Sequence, residues 1–368
     1  MPNARLLRSV AEVPAQWWDA CEPHLAEDHA YLRAVEQAAL PGFTMRALVV
    51  THGERLLAAA PAFVTRYPLD TMMEGTGARV IAGLRRGLPA LLAPRLACLG
   101  SPCTETAGVR FARGLDTTTR RAAAASLVAR LAMLGAEEDC ALLGAKDLAA
   151  DTAPEMVGAL GAAGYLVTSG QPIAVLPIDF PDVDAYLASL SRATRRGLRR
   201  KLRSADAVRI ERRTNIDDVA DRVHALYRAT LDRAVHRFEE LTPAYFTAVL
   251  AAMPGRAHVT LYYVGDELLA ANLLVADAGI LLDKYWCMAD AGRVHGLYHL
   301  SWIENIRHCL QAGLTRYQAG QANADAKLSL GCRLEPTTTH VRHRNALCNG
   351  ALRVALPWIG GEPVARAA

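Results

Sequence analysis

Paired cysteines are the first thing this 368-residue chain lacks. Its eight cysteines, Cys21, Cys98, Cys103, Cys140, Cys287, Cys309, Cys332 and Cys348, are scattered with no Cys-x-x-Cys spacing. That excludes a zinc-ribbon type of site and fits a reducing compartment rather than a disulfide-stapled scaffold. Long apolar runs are missing too. The most apolar region, near Leu84 to Gly100, is interrupted by Arg85, Arg86, Pro89, Pro94 and Arg95, so no membrane span is expected. The opening MPNARLLRSVAEVPAQWW has no apolar signal core, and a cytoplasmic location is the expectation. Charge of one sign is scarce: a net +4 leaves room for an anionic partner but does not announce a nucleic-acid binder. His295 and His299 stand four apart, yet no Glu or Asp completes a His-Glu-x-x-His pattern, so no metal is expected.

Apolar material is plentiful. Hydrophobic residues make up 52% of the chain and charged residues 21%, over a length at which a single core stops growing, so two ordinary domains are expected. The first half reads as a helical region through Trp17, Trp18, Tyr31, Leu32 and Val35, followed by a hairpin whose first strand is Thr44 to Thr51. A helix over Thr117 to Leu134 and a strand over Asp139 to Leu143 come next. A further helix starts near Thr152, with Asp151 and Thr152 as caps and Pro154 in the first turn. One strand, GYLVTSGQPIAVLPIDF, closes the half. The second half repeats the plan: helices over Val183 to Ser204, Asp217 to Ala234 and Pro243 to Met253, then a hairpin of His258 to Val264 and Leu268 to Ala276. Ile280 to Met288 supplies a third strand. The helix Tyr298 to Gln311, stopped by Gly313, leads into the strand Leu314 to Ala319. A helix at Asn323 to Leu330 and strands from Arg333 to Arg344 finish it. Such an order indicates mixed α/β (α+β) sheets in a duplicated domain. The expected division is 1–179, 180–350 and a tail at 351–368.

The stretch YHLSWIENIRHCLQAGLTRYQAGQANADAKLSLG, Tyr298 to Gly331, carries a resemblance. It resembles the GCN-five-related N-acyltransferase (GNAT) superfamily in its tandem, Fem-like form, including the CelD-type acyltransferases. Members have a helix resembling LLxWxxIxxAxxxG, a strand resembling xYDxG, and a Tyr-Lys before a Gly. The resemblance implies two tandem GNAT-like domains, with the clearer site motifs in the second. This chain departs from the pattern at Gln318, where an aspartate is common, and at Ala326, where a tyrosine often precedes the lysine, here Lys327.

Acyl transfer to an amine needs a proton acceptor, stabilisation of a developing oxyanion, and a place for the donor's phosphates. Arg293 to Gly296 lies between a strand and a helix N-terminus, where backbone N–H groups favour an anion. The superfamily's pyrophosphate loop resembles Arg/Gln-x-x-Gly-x-Gly/Ala, and here Tyr298 replaces the final small residue. An ordinary helix cap is the alternative. The run SRATRRGLRRKLRSA puts Arg192, Arg195, Arg196, Arg199 and Arg203 at helical spacing on one broad face, suited to phosphates or an acidic carrier, or simply to solvent.

For proton handling, Asp283, Tyr285, His299 and Lys327 are the candidates. Strict alternation puts Asp283 and Tyr285 on one face of their strand, and Lys284 and Trp286 on the other. A charged pair inside an apolar strand is costly unless it faces a cleft or a partner, which favours a site role. A surface lysine is the plain reading of Lys327. Gln318, Gln321, Asn323, Trp286 and Arg342 are candidate substrate contacts. His340, Arg342 and Arg344 share one face of a late strand, either a carboxylate clamp or an exposed edge. Cys287 beside Trp286 is an acyl-accepting nucleophile or packing.

The leading expectation is an N-acyltransferase working by direct attack. Its donor is an acyl-coenzyme A or acyl-carrier-protein thioester, a co-substrate rather than a tightly bound cofactor, and its acceptor is an amine of a small metabolite or cell-envelope precursor. An acyl-carrier protein is a candidate partner. Transfer from aminoacyl-tRNA is the second reading, with tRNA as the partner, and a non-catalytic binding protein on the same fold is the third.

Overall fold

A computed structural model of the chain describes residues 2–67, 93–149, 154–203, 205–234, 237–277 and 279–359. In chain order these form β1 (Asn3–Leu7), α1 (Ala15–Asp19), β2 (Cys21–Glu22), α2 (His29–Gln37), β3 (Phe43–His52), β4 (Arg55–Arg66) and β5 (Arg95–Leu99). Next are β6 (Arg110–Ala112), α3 (Thr117–Glu137), β7 (Leu142–Leu148), α4 (Pro154–Ala162), β8 (Leu166–Ser169), β9 (Ile173–Pro177), α5 (Val183–Ser189) and α6 (Arg192–Lys201). They continue through β10 (Val208–Arg213), α7 (Ala220–Leu231), α8 (Pro243–Ala252), β11 (Ala257–Val264), β12 (Glu267–Asp277) and β13 (Ile280–Met288). The last are α9 (Leu297–Ala312), β14 (Arg316–Gln318), α10 (Ala324–Ser329), β15 (Arg333–Glu335), β16 (Thr338–His343) and α11 (Ala346–Ile359). The caps expected at Asp151 and Thr152 lie outside the described residues, as does most of the apolar stretch from Leu84. No described helix is long and apolar enough to cross a membrane.

The chain folds as two units, each around its own mixed sheet. The first comprises Met1–Gln171, Phe238–Glu240 and Pro336–Ala368, the second Pro172–Arg237 and Leu241–Glu335. The main path of the first sheet runs β1-β3-β4-β5-β7-β16-β8, and the second runs β10-β11-β12-β13-β14-β9-β15. This differs from a simple cut near 179. The segment read as one closing strand is two: β8 pairs β16 in the first sheet, whereas β9 pairs β14 and β15 in the second. The late strands part in the same way, β15 staying in the second sheet and β16 returning to the first. Local periodicity marks a segment as extended; its partner is set by contacts far away in sequence, which the pattern does not carry. The expected tail at 351–368 begins inside α11.

In the first unit, alternation along β3 and β4 feeds two cores. Leu48, Val50, Ala60 and Ala62 pack with Leu127, Leu131 and Leu134 of α3, while Ala47, Val49 and Ala59 meet Trp18 and Leu32 on the other face. Asp116 caps α3 by accepting from the Thr119 amide at 2.9 Å. In the second unit one face of the sheet carries α5, α6 and α9, with Leu274, Leu281 and Tyr317 against Trp302, Ile303 and Ile306. Trp302 donates its Nε1–H to the Tyr186 hydroxyl at 2.8 Å, which in turn donates to the Leu330 carbonyl at 2.9 Å, so the polar atoms of these two rings are satisfied. Leu127→Ala should lower the urea midpoint and cost about 2–5 kcal/mol, because the side chain is enclosed on all sides.

Candidate functional site

Strands β13 and β14 run parallel, the one such pair in the second sheet among the described residues. They are paired only from Ile280↔Arg316 to Leu282↔Gln318, although β13 continues to Met288. Beyond Leu282 the hydrogen-bonded ladder between them ends, and this opening of the ladder lies at the C-terminal ends of the parallel strands, where α/β folds place their ligands. Asp283 is the first residue past the last pair. Its Oδ2 accepts from the Tyr317 hydroxyl at 2.7 Å and from Asn305 Nδ2 at 3.3 Å, and Asn305 also donates to the Tyr317 oxygen at 3.0 Å. Burial pushes the Asp283 carboxyl above its ordinary range, against the lowering pulls of Tyr317, the Lys327 charge and the Asn272 amide. Lys327 is buried rather than on the surface, and its Nζ donates to the Ala319 carbonyl just beyond β14.

A bulge sets which side chains join this group. Leu273 lies opposite Tyr285, but its neighbour Leu274 lies opposite Asp283, so Lys284 is one residue more than the pairing needs. The extra residue shifts the alternation, and the strict reading is corrected accordingly. Asp283 and Trp286 face α9, where Trp286 meets the rings of Tyr262 and Tyr298 at 5.6 and 6.1 Å. Tyr285 turns to the opposite face, into the rings of Tyr227, Tyr245 and Phe246 at 6.1, 5.4 and 6.5 Å. Cys287 is fully buried and burial pushes its thiol up, so it packs as a neutral group.

Under the opening, Asn272 donates to Ser301 Oγ at 3.1 Å. Asn272 Oδ1 and the hydroxyls of Tyr262 and Tyr298 are buried with no well-directed hydrogen bond among the described residues, although the Tyr262 hydroxyl leans toward Ser301. Of the other substrate-contact candidates, Gln318 ends β14, half-buried Gln321 follows it, and Asn323 caps α10 in the left-handed region at φ 57°. Arg342 is elsewhere: its strand β16 lies in the first sheet with partners on both sides, so it is neither an edge nor part of this group.

The expected anion turn has a different occupant. Gly296 caps α9 at φ 66°, and a Cβ there would lie 2.2 Å from the carbonyl oxygen of Lys201, the last residue of α6. The glycine is therefore explained by the close approach of a protein backbone, not by a phosphate. Lys201 Nζ lies 2.9 Å from His299 Nε2, an arrangement in which the neutral ring accepts from the ammonium. Burial first, and the Lys201 charge second, push His299 down to about 4. His299 is thus a neutral acceptor engaged with Lys201, and the contacts described for it do not include Asp283. Arg293 is largely exposed and pairs with Asp290 at 3.3 Å. On α6, Arg195 donates to the Ala188 carbonyl at 3.2 Å. Among the described residues Arg192, Arg196, Arg199, Arg200 and Arg203 have no carboxylate partner. No group of three potential metal ligands occurs among the described residues.

The sequence singles out Asp283 and Lys327, and the structure places Tyr317, Asn305, Asn272 and Ser301 around them, none of which the sequence singles out. The available signal was a neutral polar residue inside an apolar run: Asn272 in LLAANLLVA and Asn305 in the helix stripe WIENI.

A family profile described as FemAB-like, peptidoglycan biosynthesis/recognition, matches residues 9–355. No curated protein matches the sequence. Among solved structures the chain is similar to FemX, with a TM-score of 0.57 at 13% identity over 91% of this chain and 96% of that one. It is similar to the C-terminal domain of a putative lysylphosphatidylglycerol synthetase from Agrobacterium fabrum (TM-score 0.55, 13% identity, 98% and 99% covered). It is also similar to a tandem GNAT protein from the clavulanic acid biosynthesis pathway (0.54, 15%, 93% and 99%). At these identities the likeness establishes the fold, a tandem GNAT arrangement.

The two α6 and α9 glycines make a paired test. Gly197→Ala, with open space around its Cβ in a helix, should stabilise by about 0.5–1 kcal/mol. Gly296→Ala should destabilise by more than about 1 kcal/mol, from the left-handed backbone and the Lys201 carbonyl together. Thermal melts of both variants check the signs.

Proposed function

The chain belongs to the FemAB-like family, and we propose that it is a transferase that moves an acyl group from an activated donor to an amine by direct attack at the opening between β13 and β14. The observation that carries this reading is the Asp283 carboxyl, raised by burial and held by Tyr317 and Asn305 at the point where the strands part. A base for an ammonium nucleophile works best when its proton affinity approaches that of neutral solution, and burial moves Asp283 in that direction. Lys327, whose charge acts on Asp283, supplies the positive charge that a developing oxyanion requires. The acceptor is an amine of a small metabolite or of a cell-envelope precursor, the latter in keeping with the family's description.

A thioester on coenzyme A or an acyl-carrier protein is the first reading of the donor. Aminoacyl-tRNA is the second, and one observation favours it: α6 carries five arginines without carboxylate partners, while the adjacent helix end that would hold a compact pyrophosphate has the Lys201 carbonyl against it. Purified protein offered acyl thioesters or charged tRNA together with candidate amines, with amide product read by mass spectrometry, separates the two donors. Binding of these donors without any product would instead make the chain a binding protein.

Asp283→Asn should lower turnover by about 10²–10⁴-fold while leaving the fold intact. In the wild type, activity should rise with pH through the raised Asp283 value, and Asn should remove that limb. Stability moves the other way. A carboxyl whose folded value is raised contributes fully below its unfolded value, and that contribution is lost as pH rises through the folded one. At neutral pH the Asn variant should therefore melt no lower than the wild type. Reversing Arg195, Arg196 and Arg199 to Glu should weaken binding of a polyanionic donor and reduce its salt slope, read by binding titrations at several salt concentrations. An unchanged slope would remove α6 from donor recognition.

A further inference from the structure

At the other end of the same sheet face, three cationic or potentially cationic side chains converge without an acid. His258 on β11 and His308 on α9 stack edge to face with ring centroids 4.9 Å apart and planes at 76°. Arg212 on β10 lies opposite Thr260, one step along the same face from His258. His258 is only 7% exposed, and its Nε2 is buried with no hydrogen-bond partner. Arg212 is exposed, and among the described residues it has no carboxylate partner. β10 pairs only with β11, so the cluster opens at a sheet edge.

The acids of the neighbouring elements are engaged elsewhere. Glu211 turns to the opposite face of β10 and pairs with Arg213 at 2.9 Å. Glu304, one turn before His308, pairs with Arg307. Asp277 at the end of β12 pairs with Arg256 at 2.8 Å. Burial first, then the neighbouring His308 and Arg212, push His258 down to about 3. His308 is lowered by burial and by Arg212. A metal ion is excluded from such a set by the guanidinium, whereas an anion would reverse the repulsion among its members.

We infer that Arg212, His258 and His308 form a binding site for a small oxyanion, a phosphate or carboxylate group, held by the guanidinium fork and the two imidazole N–H groups. An oxyanion supplies the acceptor that the buried His258 Nε2–H lacks and relieves the like-charge contact. Because such an anion favours the charged imidazoles, binding and protonation are linked: each tightens the other by the same factor. Binding should strengthen as pH falls through the histidine range.

The test is an NMR titration of the imidazoles in the full chain labelled at histidine carbons, with His258→Asn and His308→Asn providing assignments. Inorganic phosphate and acetate are added separately to an otherwise anion-poor buffer. The expected result is a rise of about one pKa unit at His308, equivalent to tenfold tighter binding to the protonated protein. That rise should vanish in Arg212→Gln, a change at an exposed strand edge. A response to phosphate alone identifies a phosphate ligand, and a response to acetate alone a carboxylate; either supports the site. Titrations unmoved by both anions in the wild type, or moved equally in Arg212→Gln, would overturn it. If Arg212→Gln proved unfolded, loss of the phosphate response at His258 in His308→Asn would serve as the second check.

Discussion

The short parallel pairing of β13 with β14 is the constraint on which the arrangement around Asp283 depends. Three residue pairs hold the two strands together, and past Leu282 β13 keeps β12 as its partner but no longer β14. Asp283, immediately beyond, finds side chains instead, Tyr317 from the partner strand and Asn305 from α9. The bulge at Lys284 belongs to the same arrangement. Without it Trp286 would leave the α9 face and Tyr285 would enter it, exchanging an indole that borders the opening for a phenol now locked among three other rings. A single added residue thus decides which aromatic side chains border the opening.

Holding a carboxyl in that position has an energetic consequence that runs through the helix above it. A buried ionised carboxylate is costly without donors, and α9 supplies one, Asn305, at the expense of its apolar stripe, with Ser301 accepting from Asn272 beside it. Between Leu300, Trp302, Ile303, Ile306 and Cys309 stand Ser301 and Asn305, both buried. In a helix used only for packing these positions would be apolar. The donors are nevertheless too few to restore ordinary acidity, since burial still outweighs Tyr317, Lys327 and Asn272. The carboxyl is retained in a state that burdens the fold.

How much of this was legible from the sequence depends on how local each signal is. The helix α9, its Gly313 stop and the β11–β12 hairpin follow from 3.6- and 2-residue periodicities and from turn residues, and the structure places them within a residue or two. The fold class and the tandem arrangement were likewise readable from element order and from the Tyr298 to Gly331 motif. The exchange of β8 and β9, or β15 and β16, between sheets was not, because strand pairing is a contact between distant segments. The bulge was invisible for a related reason: alternation assumes a register that only the partner strand can set. Asp283 stood out because a charge in an apolar strand is costly, and Lys327 because it falls where the family motif has its lysine. Tyr317, Asn305 and Asn272 did not, since neutral polar residues in the interior are common enough to pass as packing.

Gly296 illustrates how a correct local reading can carry the wrong cause. A left-handed glycine at a helix start does mark a place where something approaches the backbone, and the approaching group is the carbonyl of Lys201. The C-terminal end of α6 thus sits against the positive end of α9, a favourable arrangement of partial charges that uses the helix end a phosphate would otherwise claim. Anion recognition near this end then falls to side chains. The arginines of α6 reach outward on long flexible stems and can meet phosphates spread along a chain, whereas a preformed backbone nest suits one compact pyrophosphate. For the proposed transfer, the geometry that accounts for the glycine therefore weighs toward a donor whose charge is distributed over a carrier.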